Sequence, residues 1–175
     1  MAIKKTVYPH SADTARERGE LDKYRESNKI NCACAVAIDK AIHDSNYEPF
    51  HYDLKAAVEK VTKEYGENRV AWVMAATVQL QHYDGRYSNA NKGWACGFDI
   101  PYVRQFGDKP RIPYYGTNAH AVLIDGFITH LREQMAQKKE RKPSVTGQLK
   151  EGAAKLAAAK TEKEPIKKKS EQEIE

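Results

Sequence analysis

Residues 21–44 read LDKYRESNKINCACAVAIDKAIHD, and Leu21, Tyr24, Asn28, Asn31, Ala35, Ile38 and Ile42 recur among them at alternating steps of three and four. That spacing draws one continuous stripe along an α-helix. A stripe of this kind faces a core, where an asparagine needs hydrogen-bond partners or costs a few kcal/mol. Asn28 and Asn31 therefore belong either to a satisfied buried polar network or to the floor of a site. Working outward, the sequence predicts a mainly α protein: one compact helical domain over residues 1–137, then a disordered or transiently helical basic tail over 138–175.

The flanking segments follow the same logic. Ser11 and Asp13 suit the start of a short helix that Gly19 ends or bends. The long helix is expected from Glu20 to Asp44, followed by a connection from Asn46 to His51 that contains Pro49. Asp53 suits the cap of a helix running through Tyr65, with Leu54, Val58 and Val61 on its apolar face and Gly66 as its stop. The apolar stretch from Val70 to Gln81 fits a central helix. Its two-sided apolar character also suits a buried strand, but length and three alanines favour the helix. Residues 82–116 are broken by glycine and proline into turns, with a short helix after Ser88 carrying Trp94 and a small strand from Arg111 to Tyr115. Thr117 or Asn118 is the expected cap of a last helix reaching about Lys139, with Val122, Phe127, Ile128, Leu131 and Met135 toward the core.

Charge is unevenly placed. Residues 1–137 hold 18 Lys and Arg against 17 Asp and Glu, whereas residues 138–175 hold 11 against 7. The net charge of +5 is thus mainly a property of the tail, which weakens any case for a basic folded face that grips DNA. Within the tail, Lys138, Lys139, Arg141, Lys142 and Lys167, Lys168, Lys169 form two clusters suited to weak, non-specific phosphate contact. A solvated tail that aids solubility is the favoured reading of them, because acidic residues are mixed in. The longest apolar run, Val70 to Ala76, is too short for the roughly 20 residues that cross a bilayer. No secretory pattern stands at the start, because Tyr8, His10, Asp13 and Arg16 interrupt the apolar region one requires. Three cysteines make an odd count, so the expectation is a cytoplasmic protein with reduced thiols and no membrane association.

Specific chemistry is sparse. Cys32 and Cys34, two apart on a helix, point about 200° from each other and do not clasp one ion. The six histidines share no motif, and no phosphate-binding loop, nucleophile elbow or zinc-protease signature is present. The expectation is no cofactor, no metal and no catalytic residue. Binding candidates are Tyr24, Arg25, Asn28 and Asn31 on the long helix, with Gln79. The dense run of Asp84, Arg86, Ser88, Asn91 and Trp94 adds the rest. Arg86 offers a guanidinium fork for phosphate or carboxylate. A plainer reading pairs Arg86 and Asp84 with the long helix through Glu26 or Arg25. Five of the ten tyrosines (Tyr83, Tyr87, Tyr102, Tyr114, Tyr115) fall between residues 83 and 115, where they serve either as contact residues or as cover for the core.

Several of these stretches resemble a family. They are residues 24–35 (YRESNKINCACA), the spacing from Ile38 to Ile42, Arg69-Val70-Ala71 and Ala76-Thr77-Val78-Gln79. Asp84-Gly85-Arg86-Tyr87-Ser88, Trp94-Ala95 and Leu123-Ile124-Asp125-Gly126-Phe127-Ile128 complete the set. Over about residues 7–137 the chain resembles an uncharacterised domain of unknown function carried on conjugative and other mobile genetic elements of gut bacteria. The family's entry to its last helix is Ser-His-Pro-like, where this chain reads Thr117-Asn118-Ala119-His120. The resemblance implies a non-catalytic binding or accessory protein with a protein partner. An inhibitor of host defence, of the anti-restriction or anti-CRISPR type, is one concrete form. A second reading is a ligand-binding domain or enzyme with a polar pocket around Asn28, Asn31, Asp84 and Arg86. A third is a nucleic-acid-associated protein that uses its tail.

Overall fold

A computed structural model describes residues 6–104 and 110–141 of the chain. The chain divides into two units, Met1–Ala136 and Gln137–Glu175. Of the basic residues named in the tail, Lys138, Lys139 and Arg141 are among the described residues, whereas Lys142, Lys167, Lys168 and Lys169 lie outside them. The architecture is mainly α. In order come α1 (Ala12–Glu17), α2 (Leu21–Asp44), β1 (Asn46–Glu48), β2 (His51–Tyr52), α3 (Leu54–Tyr65), α4 (Glu67–Leu80), α5 (Asn89–Cys96), β3 (Val103–Arg104), β4 (Pro110–Arg111) and α6 (Ala121–Arg141).

Local chemistry sets most of the boundaries. The Ser11 hydroxyl accepts the Thr14 N–H to open α1, and Gly19 (φ 68°) turns the chain toward α2. Asp53 accepts the Ala56 N–H to open α3. Gly66 (φ 80°) then ends α3 and starts α4 with no loop between them, a conformation that costs glycine least. The central helix therefore begins at Glu67, earlier than the apolar run suggests, because its first turn carries polar residues. The connection after α2 closes into a two-stranded antiparallel ribbon that pairs Asn46 with Tyr52 and Glu48 with His51. Phe50 at its tip has φ 67°.

Helix α4 runs through the centre. Val70, Ala71, Val73, Met74, Ala75, Ala76 and Val78 are all buried, which explains its two-sided apolar sequence. Helix α2 packs against α1, α3 and α4, and α5 packs against α4. Ile38 and Ile42 from α2, Val58 and Val61 from α3, and Ile124, Phe127, Ile128 and Leu131 from α6 complete the core. Buried side chains of this kind contribute roughly 1.5–3 kcal/mol each.

Two expectations are corrected at the approach to α6. The small strand is Pro110–Arg111, paired antiparallel with Val103–Arg104, not Arg111 to Tyr115; the residues after it carry Pro113 and Tyr115 into the interior. The helix begins at Ala121, and neither Thr117 nor Asn118 caps it locally. In the first turn the Val122 N–H reaches His120 Nδ1 at 3.4 Å, and Asp39 of α2 holds the turn that leads in, its carboxylate accepting the N–H groups of Asn118 (2.7 Å) and Ala119 (3.1 Å). The Thr117 hydroxyl instead meets Thr77 of α4 at 2.6 Å. Since Thr77 donates its hydrogen to the Val73 carbonyl, Thr117 is the donor. Val122 is exposed, because the first turn of α6 projects it away from α4.

Candidate functional site

Three of the expected binding residues meet at one place. Tyr24, Asn28 and Asn31, on one face of α2 together with Ser27, form one side of a half-open cleft of about 280 Å³ including its mouth. Trp72 of α4 and Tyr8 and His10 of the segment before α1 add walls, and Pro101, Pro113 and Tyr115 of the irregular region close it. The interior space suits about one or two waters.

Beneath the α2 side lies Arg69, which is fully buried. Its guanidinium donates to the Ser27 carbonyl at 3.0 Å, to the Ser27 hydroxyl, to Asn31 Oδ1 and to the Thr6 carbonyl. Burial lowers its pKa, with the nearby Cys34 and Tyr115 opposing that shift. Asn31 also hydrogen-bonds the Tyr115 hydroxyl, and the Trp72 indole N–H donates to that oxygen at 3.4 Å. Burial pushes the Tyr115 phenol above its ordinary range despite both bonds. The first alternative for the asparagines is thus realised by Asn31, which is part of a satisfied buried network.

Asn28 differs. It is half-buried, and among the described residues its side-chain amide has no hydrogen-bond partner. The Tyr24 hydroxyl is likewise unpartnered among them, and burial, then the charge of Asp13, raises its pKa. The Tyr8 and Tyr24 rings meet edge to face at 6.3 Å. Tyr8 is itself anchored, its N–H donating to the Ser27 hydroxyl (3.0 Å) and its phenol to Glu20 (2.9 Å). His10 Nε2 lies 2.7 Å from an Arg18 nitrogen.

The remaining candidates lie elsewhere and hold the fold together. Asp84 and Arg86 do not join the asparagines, nor do they reach Glu26 or Arg25. They bind each other in an exposed turn, Arg86 donating to both Asp84 oxygens at 2.7–3.1 Å. That contact holds the Asp84 carboxyl down at about 2. Arg25 is exposed, 3.4 Å from Asp22. Gln79 donates to the carbonyls of Ala95 (2.7 Å) and Phe98 (2.9 Å), fastening the end of α5 to α4. Ser88 caps α5 through the Asn91 N–H and donates its own hydroxyl to Asp125. Asn91 is fully buried and bonded to Asp125, Thr129 and Arg132 of α6. The Trp94 ring lies against Phe98 at 4.9 Å.

Sequence reasoning did not single out Arg69, Trp72, Tyr8 or Tyr115 for this cleft. One signal was present: an arginine on the doorstep of the most apolar helix, which must either leave the core or be paired inside it. No group of three or more His, Cys, Asp or Glu suited to a metal occurs among the described residues. Among them, too, no helix is long and apolar enough to cross a membrane.

The family model for a protein of unknown function, DUF3849, matches residues 7–136. The chain belongs to that family. The matched region takes in the segment before α1, the whole cleft and all but the last residues of α6, so the cleft lies within the family's domain. No curated protein matches the chain, and no solved structure does.

Proposed function

We propose that the chain is a non-catalytic binding protein that captures an extended segment of a partner protein in the cleft between α2, Trp72 and Tyr115. The observation that carries this reading is the state of the cleft's polar groups. Ser27, Asn31, Tyr8 and Tyr115 are engaged within the fold, while the Asn28 amide and Tyr24 hydroxyl have no hydrogen-bond partner among the described residues and stand beside aromatic rings and two prolines. Rigid aromatic surface with one or two unspent hydrogen-bonding groups is the usual chemistry of recognition.

In this reading the partner belongs to the setting that the sequence resemblance implies, a mobile genetic element acting in the bacterial cytoplasm. The three cysteines are free thiols, which suits a reducing compartment. Inhibition of a host defence nuclease is the most concrete form of such a role. The test is survival of a targeted plasmid in cells that express a restriction or CRISPR nuclease with this protein. The expected result is increased survival with the wild-type chain, lost with Asn28→Ala at equal expression. Unchanged survival across several nuclease types removes the defence role, and affinity capture of partners by wild type but not Asn28→Ala remains the criterion for the binding role.

A further inference from the structure

Two Asp-Gly pairs occur in the chain, Asp84-Gly85 and Asp125-Gly126, and the fold treats them differently. In such a pair the glycine has no side chain to shield its nitrogen, so the aspartate carboxyl can be attacked by its own backbone. We propose that Asp84-Gly85 is a site of spontaneous isoaspartate formation, held closed by the Arg86 side chain, which pins the Asp84 carboxylate. The site lies apart from the cleft and does not depend on what the cleft binds.

The modification has two steps. The Gly85 nitrogen bonds to Asp84 Cγ and loses its proton, and one carboxyl oxygen departs as water, which closes a five-membered succinimide. Water then adds back to either ring carbonyl. Addition at the main-chain carbonyl breaks its bond to the Gly85 nitrogen. Gly85 is left attached through Cγ, the former main-chain carbonyl becomes a free carboxylate, and the chain path gains one methylene. One water is released and one consumed, with no other reactant.

Location separates the two pairs. Gly85 is exposed in the turn between α4 and α5. Its N–H has no hydrogen-bond partner among the described residues, and a Cβ there would meet no atom within 4 Å. Gly126 lies inside α6, where the helical ladder engages its N–H. A Cβ there would lie 2.7 Å from Leu54 Cδ1. Asp125 Oδ1 is also held from outside its own helix, by Ser88 and Asn91.

What restrains Asp84 is the residue two further on. Its Oδ1 accepts the Arg86 main-chain N–H at 2.9 Å, a local turn that aspartate favours. Arg86 Nε and Nη2 reach both carboxylate oxygens at 2.7–3.1 Å. Ring closure needs the carboxyl carbon to swing onto the Gly85 nitrogen, and it needs a proton on the oxygen that leaves. The contacts oppose both, since they aim the oxygens at residue 86 and favour the ionised form. With the carboxyl held at about 2, its protonated fraction at pH 5 falls below that of an ordinary aspartate by on the order of a hundredfold. Screening around an exposed pair reduces that factor. The lengthened chain would act on Ser88, whose N–H and hydroxyl tie the start of α5 to Asp125.

The experiment ages the folded full chain and its variants at pH 5. Peptide mapping by mass spectrometry with electron-transfer fragmentation locates isoaspartate, and methyl transfer by an isoaspartyl methyltransferase measures its total. The expected result is slow formation at Asp84 in wild type and at least about tenfold faster formation in Arg86→Gln, with Asp125 unchanged. Arg86→Lys, which keeps the charge without the fork, should fall between them. Tyr87→Phe removes the 2.7 Å bond to Gln81 in the same turn without touching the carboxylate, and should age like wild type. Gly85→Ala in the Arg86→Gln background should slow the reaction again. Equal rates in wild type and Arg86→Gln overturn the pinning role. Acceleration by Tyr87→Phe equal to that by Arg86→Gln assigns the protection to a stiff turn and overturns it too. So does a matching rise at Asp125, which assigns the protection to the fold as a whole. Absence of isoaspartate at residue 84 in every variant overturns the site.

Discussion

Asn91→Ala separates a structural role from a binding role more cleanly than any other change. The Asn91 side chain is fully buried. Its amide nitrogen donates to the Asp125 carbonyl (2.9 Å), Asp125 Oδ1 (2.7 Å) and Thr129 (3.2 Å), and its oxygen accepts from Arg132 (2.7 Å). Two of these bonds involve charged partners and contribute about 1.5–3 kcal/mol each when intact. The loss is partly offset, because Asp125 Oδ1 keeps the Ser88 N–H and hydroxyl and the half-buried Arg132 regains water. The net cost should be about 2–4 kcal/mol. For a domain of this size that lowers the melting temperature by roughly 10 °C. Thermal and urea unfolding of Asn91→Ala, Arg132→Ala and the double variant form a cycle with an expected coupling of about 1–2 kcal/mol. A loss below about 0.5 kcal/mol, or zero coupling, refutes the reasoning. So does loss of partner binding at unchanged stability, since that would make Asn91 part of a site.

Three further outcomes follow from local geometry. Burial pushes the Cys34 thiol up to about 12, so a thiol reagent at pH 8 should label exposed Cys96 quickly and Cys34 only on unfolding; rapid Cys34 labelling in the native state contradicts its placement. The Asp84 carboxyl is held at about 2, chiefly by the Arg86 side chain. A depressed carboxyl stabilises the fold above its ordinary range near 4 and loses that contribution as pH falls through about 2. Arg86→Gln should therefore move the Asp84 midpoint upward in an NMR titration and narrow the stability difference from wild type as pH drops from 4 to 2; an unmoved midpoint counts against the pair. A Cβ at Gly126 would lie 2.7 Å from Leu54 Cδ1, so repacking should cancel the helix gain of Gly126→Ala, about 1 kcal/mol. That gain should reappear in a Leu54→Ala background, and equal effects in both backgrounds would show that the contact is not felt.

The legibility of this chain divides along the range of its interactions. Helices α1, α2 and α3 were readable because Ser11, Asp53 and Gly66 act within one turn of themselves, and the α2 stripe repeats in sequence what it does in space. The entry to α6 was not. The turn that leads into it is held by Asp39, roughly 80 residues away in sequence, and no local pattern announces a carboxylate borrowed from another helix. The stripe also set two alternatives for Asn28 and Asn31 without saying which of the two would be bonded inside the fold. That depended on Arg69 and Tyr115, distant in sequence, which occupy Asn31 and leave Asn28. Asp84 and Arg86 stood beside the asparagines only in chemical type; two residues apart in a tight turn, they satisfied each other.

The segment before α1 has a consequence for the order in which the molecule assembles. Thr6 and Tyr8 come early in the chain, yet the guanidinium that receives the Thr6 carbonyl lies 63 residues further on. Closing a loop of that length costs entropy before any contact repays it. Helices α2 and α4, whose core is apolar and continuous, have reason to dock first, and the segment then folds down over a finished surface. One wall of the cleft is thus set late, by a few hydrogen bonds and an edge-on ring contact rather than by the core. Local opening of such an element needs far less free energy than global unfolding. The Tyr8 amide should accordingly exchange its hydrogen with solvent well before those of α4, so that the cleft widens on a timescale of its own while the body of the protein stays folded.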